Sequence, residues 1–274
     1  MPSRLLHHER FSRNVEAELV ALVRVVRAYR DQDSDCISYV VDDGDRRLFV
    51  KRSLAPRGAE SLARAATVHG TVLHPALPAL LRVIPGPEGP VHVYTWVPGE
   101  VLYDYVTMDG AAGRRDPTSA HARFRALPVD RIVDALDVVF DLHVVLADAG
   151  FVAVDFYDGC ILYDFAGHQL WVCDIDEYHV CPFMLASDRL PGSRRFMAPE
   201  EFVRGSTIDQ RTNVFTLGCT ATVLLSDGRL DAPAWRGTEP MRTVLRRATQ
   251  PDPAERFPTV AAFVHAWREA SAAA

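Results

Sequence analysis

The sequence predicts an α+β protein in two lobes, a small antiparallel β-sheet lobe with one main helix (residues 1–97) and a larger, mainly helical lobe (residues 98–274). Three observations predict it. Short runs of alternating apolar residues fill residues 22–97, helical spacing dominates after Pro98-Gly99, and 274 residues suffice for two such bodies.

In order along the chain, residues 8–20 mix apolar and charged positions at helical spacing and predict a short leading helix. "LVRVVRAY", "CISYVV" and "RRLFVKR" alternate as strands, and "DDGD" (Asp42–Asp45) separates the last two as a hairpin turn. A helix is expected over Ala59–Val72. "HPALPALLRVI", the turn "PGPEGP" and "VHVYTWV" then complete the sheet, with a hinge at Trp96–Gly99. "GAAGRRDPTSAHARF" is polar and glycine-containing and reads as a loop, with the whole stretch from Asp109 to Phe124 open to disorder. "PVDRIVDALDVVFDLHVVLADAG" places apolar residues at i, i+3, i+4 and i+7 and stops at Gly150, which predicts a helix. "ILYDF" and "QLWVCDI" predict strands around the turn "AGH", and residues 210–226 and 259–270 predict helices.

Composition narrows the function classes without choosing one. Apolar residues make up 48% and charged residues 24%, as in ordinary globular proteins. A net charge of −6 argues against nucleic acid or an anionic membrane as partner. The opening has no apolar leader, and no apolar run approaches the roughly 20 residues of a membrane span. Five scattered cysteines without a C-x-x-C pair suit a reducing cytoplasm and no structural zinc. A soluble, cytoplasmic protein is the expectation.

The most specific motif is "GSRRFMAPEEF" (Gly192–Phe202), followed by "DQRTNVFTLGCTATVLL" and "DPAERFPTVAAFVHAW". These resemble, in order, the Ala-Pro-Glu segment that closes the activation loop, the central large-lobe helix and the closing helix pair of eukaryotic-like protein kinases. The resemblance implies a two-lobed, protein-kinase-like fold and a buried ion pair between Glu200 and Arg256. It also implies an ATP- and Mg²⁺-dependent phosphotransferase acting on a hydroxyl of a protein, peptide or small molecule.

Within that resemblance Lys51 holds the α- and β-phosphates; its plain alternative is a solvated strand lysine. Glu60 is the sole acidic candidate to pair with it on the following helix, and a helix-start carboxylate is the alternative. In "VAVDFYDGCILYD" Asp155 takes the place of the catalytic base, and Asp174, 19 residues on in "VCDIDEY", that of the metal ligand. Asp176 faces the same ion if the backbone between them is extended, and is the candidate replacement for a lost ligand. Thr95 and Val97 at the hinge are further nucleotide-contact candidates.

Several positions depart from the pattern. Cys160 stands five residues after Asp155, where the family has a metal-binding asparagine; a thiol is a soft ligand and a poor one for Mg²⁺. Val154 replaces an arginine, which removes an anchor for a phosphorylated activation loop, and Tyr157 replaces a lysine that contacts the γ-phosphate. Asp158 reads as a cap on the turn with Gly159, and as the alternative to Asp176 for covering the ion. Asn213 replaces an aspartate that braces the catalytic loop. The segment from Asp174 to Glu200 holds Ser187 and Ser193 and reads as a substrate-facing platform. "DQDSDCISYVV" lacks the glycines of a phosphate loop. Ser34 and Ser38 are candidate phosphate donors or plain turn residues, with Asp33 and Asp35 nearby as repelling charges. The serines and the Asp-Ile-Asp motif are similar to aminoglycoside and other small-molecule phosphotransferases. Acidic Glu100, Asp104 and Asp116 would favour a cationic acceptor. A pseudokinase scaffold is the alternative reading.

Overall fold

The computed structural model describes residues 3–30, 32, 34–104, 110–231 and 233–272. It is an α+β structure that divides into two compact units, Met1–Pro98 and Gly99–Ala274. Asp33 and Asp109 lie outside the described residues.

The first unit contains α1 (Val15–Leu22), β1 (Arg24–Tyr29), β2 (Cys36–Asp43), β3 (Arg46–Ser53), α2 (Pro56–Thr71), β4 (Leu80–Gly86) and β5 (Gly89–Thr95). The strands form an antiparallel sheet in the order β1-β2-β3-β5-β4. Alternation decides which residues share a face. Ile37, Tyr39, Val41, Leu48, Val50, Val91 and Val93 point one way and pack with Leu5, Phe11, Val15 and Leu19. The N-terminal segment is pinned there by buried Asp43, whose carboxylate accepts from Ser3 Oγ and from the amides of Arg4 (3.1 Å) and Leu5 (3.0 Å). The leading helix begins at Val15, later than the apolar spacing predicts. Asn14 caps it by accepting from Ala17 N, and Glu18 holds the Ser12 and Arg13 amides in a non-helical turn before it.

The opposite face of the sheet packs against α2, whose buried stripe is Gly58, Ser61, Leu62, Ala65 and Val68. Gly58 is required there, because a Cβ would lie 2.3 Å from the Asp35 carbonyl oxygen.

The second unit contains β6 (Glu100–Val101), α3 (Gly110–Arg115), α4 (Ala120–Arg125), α5 (Val129–Asp148), β7 (Phe151–Ala153), β8 (Ile161–Asp164), β9 (Gln169–Val172), β10 (Tyr178–Val180), β11 (Phe183–Met184), β12 (Thr207–Ile208), α6 (Gln210–Leu225), α7 (Glu239–Ala248) and α8 (Val260–Ala272). Two short helices, α3 and α4, occupy the described part of the stretch read as a loop. Ser119 caps the second by accepting from Ala122 N. Helix α7 escaped the sequence reading, although Thr238 caps it and Met241, Leu245 and Ala248 form a buried i, i+4, i+7 stripe. Helices α5 and α8 pack through Phe140, Phe263 and Trp267, whose indole donates to Asp137 at 3.0 Å. No helix among the described residues is long and apolar enough to cross a membrane.

Central α6 is buried on nearly all sides, and three of its threonine hydroxyls are satisfied within the helix. Thr216, Thr220 and Thr222 donate to the carbonyls of Thr212, Thr216 and Gly218, each four residues back.

Candidate active site

In the first unit, Lys51 lies on β3, the middle strand, and is 5% exposed. Its cross-strand neighbours are Ser38 on β2 and His92 on β5, so the three side chains share the sheet face that α2 covers. Burial, then the positive charge of neighbouring groups including Lys51, drops His92 to about 4, so it is neutral at pH 7. His92 Nδ1 lies 2.9 Å from the Tyr94 hydroxyl.

Ser38 therefore belongs to a strand, not to a phosphate loop, and its hydroxyl donates to Gln32 Oε1 at 2.9 Å. Ser34 is half-buried in the turn before β2. Glu60 is exposed and falls outside the inward stripe of α2, and among the described residues no ion pair joining it to Lys51 is seen. Thr95 is exposed at the end of β5, with its amide on Ala79 O, and Val97 is half-buried after it.

In the second unit, β7 delivers the chain into "VDFYDGC". Asn213 of α6 accepts the Ala153 amide through Oδ1 at 3.0 Å, so the brace expected of this position is present. Its Nδ2 is buried with no partner among the described residues. Asp155 is half-buried and adopts φ 60°, and Asp174 is exposed with φ 57°. An L residue in this left-handed region is uncommon and persists where the surroundings impose it.

The two aspartates converge on Cys160. The Cys173 amide, one residue before Asp174, donates to Cys160 O at 2.9 Å, and the Cys160 thiol donates to Asp155 O at 3.3 Å. Burial, then the charges of Asp174 and Asp155, push that thiol well up, so it stays protonated. A buried neutral thiol committed to a carbonyl is not a metal ligand.

The left-handed turn at Asp174 also removes the extended backbone on which a shared face for Asp176 depended. Asp174 reaches the surface, whereas Asp176 is 5% exposed. Among the described residues no three His, Cys, Asp or Glu side chains form a metal-holding group. That still fits Mg²⁺, which is commonly held by one or two carboxylates plus substrate phosphates and water.

Gly192 (φ 140°) brings the platform segment over Asp155, since a Cβ there would stand 3.5 Å from the Asp155 Cα. A crevice beside Asp155 is lined by Ala153, Ser193, Phe196, Met197, Glu201 and Thr216. Glu201 receives the Ala198 amide at 2.6 Å, and burial raises its carboxyl to about 8. Tyr157 folds over Gly159 towards Phe196, and burial pushes its phenol up.

Below the crevice lies the Glu200–Arg256 pair: Nη1–Oε1 2.7 Å and Nη2–Oε2 2.9 Å, with Thr212 Oγ1 donating to Glu200 at 2.8 Å. Arg256 also donates to the carbonyls of Gln250, Pro251 and Arg211.

Asp158 corrects the turn-cap reading. It is fully buried and clasped by Arg114 of α3 (Nε–Oδ2 2.7 Å, Nη2–Oδ1 2.9 Å), with His121 Nδ1 of α4 3.1 Å away outside hydrogen-bond geometry. Burial works to raise its carboxyl, but Arg114 and His121 outweigh it and hold it below the ordinary value. Sequence spacing carried no sign of Arg114 or His121, which join Asp158 from about 40 residues upstream. Glu100 is occupied by Arg123 and Asp116 by Thr118.

No protein-family model matches the chain, and no curated protein matches it as a relative.

Proposed function

We propose that the protein is a kinase-like, two-lobed phosphotransferase that moves the γ-phosphate of ATP to a hydroxyl acceptor, with Asp155 as the base and Asp174 as the Mg²⁺ ligand. The observation that carries this reading is that Asp155 and Asp174, both in the left-handed region, flank Cys160, tied to it by the thiol bond to Asp155 O and by the Cys173 amide on Cys160 O. Backbone of that kind is a recurrent property of functional sites. The braced Ala153 amide and the Glu200–Arg256 pair hold the loop and the platform over it.

In this reading Asp155 orients the acceptor hydroxyl and takes its proton. Asp174 holds the ion by its exposed carboxylate; Asp176, buried, is second in line. Mg²⁺, when bound, neutralises charge on the transferred phosphoryl group. Lys51 serves the α- and β-phosphates, with Ser38 beside it on the sheet. Ser34, Thr95 and Val97 remain proposed nucleotide contacts, whereas Glu60 is not proposed as the partner of Lys51.

The test is ATP·Mg²⁺ binding and turnover for the wild type, Asp155→Asn and Asp174→Asn, against serine peptides and amino-sugar acceptors. Asp155→Asn is expected to keep nucleotide binding and lose about 10²–10⁴-fold in turnover. Asp174→Asn is expected to lose the Mg²⁺-dependent part of nucleotide binding. Wild-type binding without turnover, or no binding at all, refutes the phosphotransferase reading and favours the pseudokinase scaffold, which binds nucleotide weakly or not at all.

A further inference from the structure

Arginines gather beside the catalytic-loop candidate. Arg114 stacks its guanidinium 3.5 Å from the Tyr103 ring centre and is matched by Asp158. Arg195 follows crevice-lining Ser193 by two residues. It reaches the surface, lies against Gly228 and donates to Asp227 O at 2.9 Å. It stands within electrostatic reach of Arg114, Asp158, Arg125 and Asp227.

Arg125, at the end of α4, is half-buried near Asp227 and Arg236, and its Nε has no partner among the described residues. Arg236 donates to the carbonyls of Arg125 and Leu127, closing the group.

Four guanidinium groups thus meet two carboxylates, Asp158 and Asp227, among the described residues. Asp158 is consumed by Arg114, and Asp227 answers Arg125 and Arg195 together. Burial, then like charge from neighbouring arginines, disfavours the Arg125 and Arg195 cations. Among the described residues these guanidinium groups outnumber the carboxylates beside them, in a chain of net charge −6. Guanidinium groups held this way match the oxygens of a carboxylate or phosphate, and an incoming anion removes the mutual repulsion.

We propose that Arg195, backed by Arg125 and Arg114, binds an anionic group carried by the phosphoryl acceptor close to its reacting hydroxyl. The link to an acceptor rests on the phosphotransferase reading of Asp155; anion binding at the arginines does not. This anionic acceptor is the alternative to the cationic one that Glu100, Asp104 and Asp116 would favour.

The test is nucleotide-free binding of fluorescent serine peptides to the full chain at low salt, read by anisotropy. The peptides are flanked by aspartates, by phosphoserine or by arginines, and inorganic phosphate serves as competitor. The wild type is expected to prefer the acidic peptides, and phosphate to compete with them; the stronger of the aspartate and phosphoserine peptides identifies the preferred anion. Arg195→Glu should lose about tenfold to hundredfold in affinity for them and gain affinity for the arginine peptide. Arg195→Lys should lie between the two.

Arg195 reaches the surface while its guanidinium packs against Gly228, so the melting temperature of each variant is measured alongside, and Arg195→Lys, which keeps the charge, separates lost affinity from lost packing. Equal binding of acidic and basic peptides, binding of none, or no change in Arg195→Glu overturns the proposal. Because ATP is absent, a failure of phosphoryl transfer in the turnover assay and a failure of this site are read separately.

Discussion

Replacing Arg256 with Met should expose how much the Ala-Pro-Glu segment depends on one buried ion pair. The substitution removes the guanidinium that lies over the Phe215 ring, and with it both bonds to Glu200 and the donors to three carbonyls. Glu200 is then a buried carboxylate with the Thr212 hydroxyl as its remaining hydrogen-bond donor. Breaking a buried pair from one side costs about 3–5 kcal/mol, chiefly through the stranded charge. Adding Glu200→Gln removes that charge, so the double variant should recover part of the loss instead of adding to it. Urea unfolding followed by tryptophan fluorescence is the assay, with Trp267 buried in the same unit as reporter. A single-variant loss below about 1 kcal/mol, or a double variant equal to the sum of the singles, would refute the reasoning.

Glu201, raised to about 8, keeps its proton in the folded protein while the unfolded chain releases it near 4.5, so stability is full at low pH and lost as pH rises to about 8. From pH 5 to 8 this amounts to about 4 kcal/mol at most, and Glu201→Gln should flatten the wild-type decline in urea midpoints over that range. Asp158 has the opposite sign: its carboxyl is held low, so its contribution is present near neutrality and lost in acid as pH falls through its folded value. Arg114→Met should remove that acid sensitivity and lower stability at pH 7, measured by the same titration. Gly58→Ala places a Cβ against Asp35 O and should cost about 1–3 kcal/mol, seen as a lower melting temperature; an unchanged melt would show that α2 shifts freely.

Much of the fold was legible because it is written in local periodicity. Alternation in Cys36–Asp43 and Arg46–Ser53 located the hairpin, and the 3.6-residue stripe of Val129–Asp148 located its helix. The same alternation places Ser38 inside β2, a signal outweighed in the reading by the expectation of a phosphate loop. Gly110, Gly113 and Pro117 made the next stretch look like a loop, and the Ser119 cap was the cue that α4 begins there. Glu200 and Arg256 were paired across 56 residues through their motifs, and the structure contains that pair. Glu60 showed the limit of such pairing: a single acidic residue in the right interval need not fall on the inward stripe.

By itself, then, the sequence determined the sheet, the main helices and the residues worth examining, since neighbours along the chain carry those patterns. Tertiary structure decided which charges meet. Arg114 and His121 converge on Asp158, Arg195 donates to Asp227 O, and Arg236 donates to the Arg125 carbonyl from 111 residues away. Their spacing follows no period, because pairing in space depends on how the helices pack and not on distance along the chain.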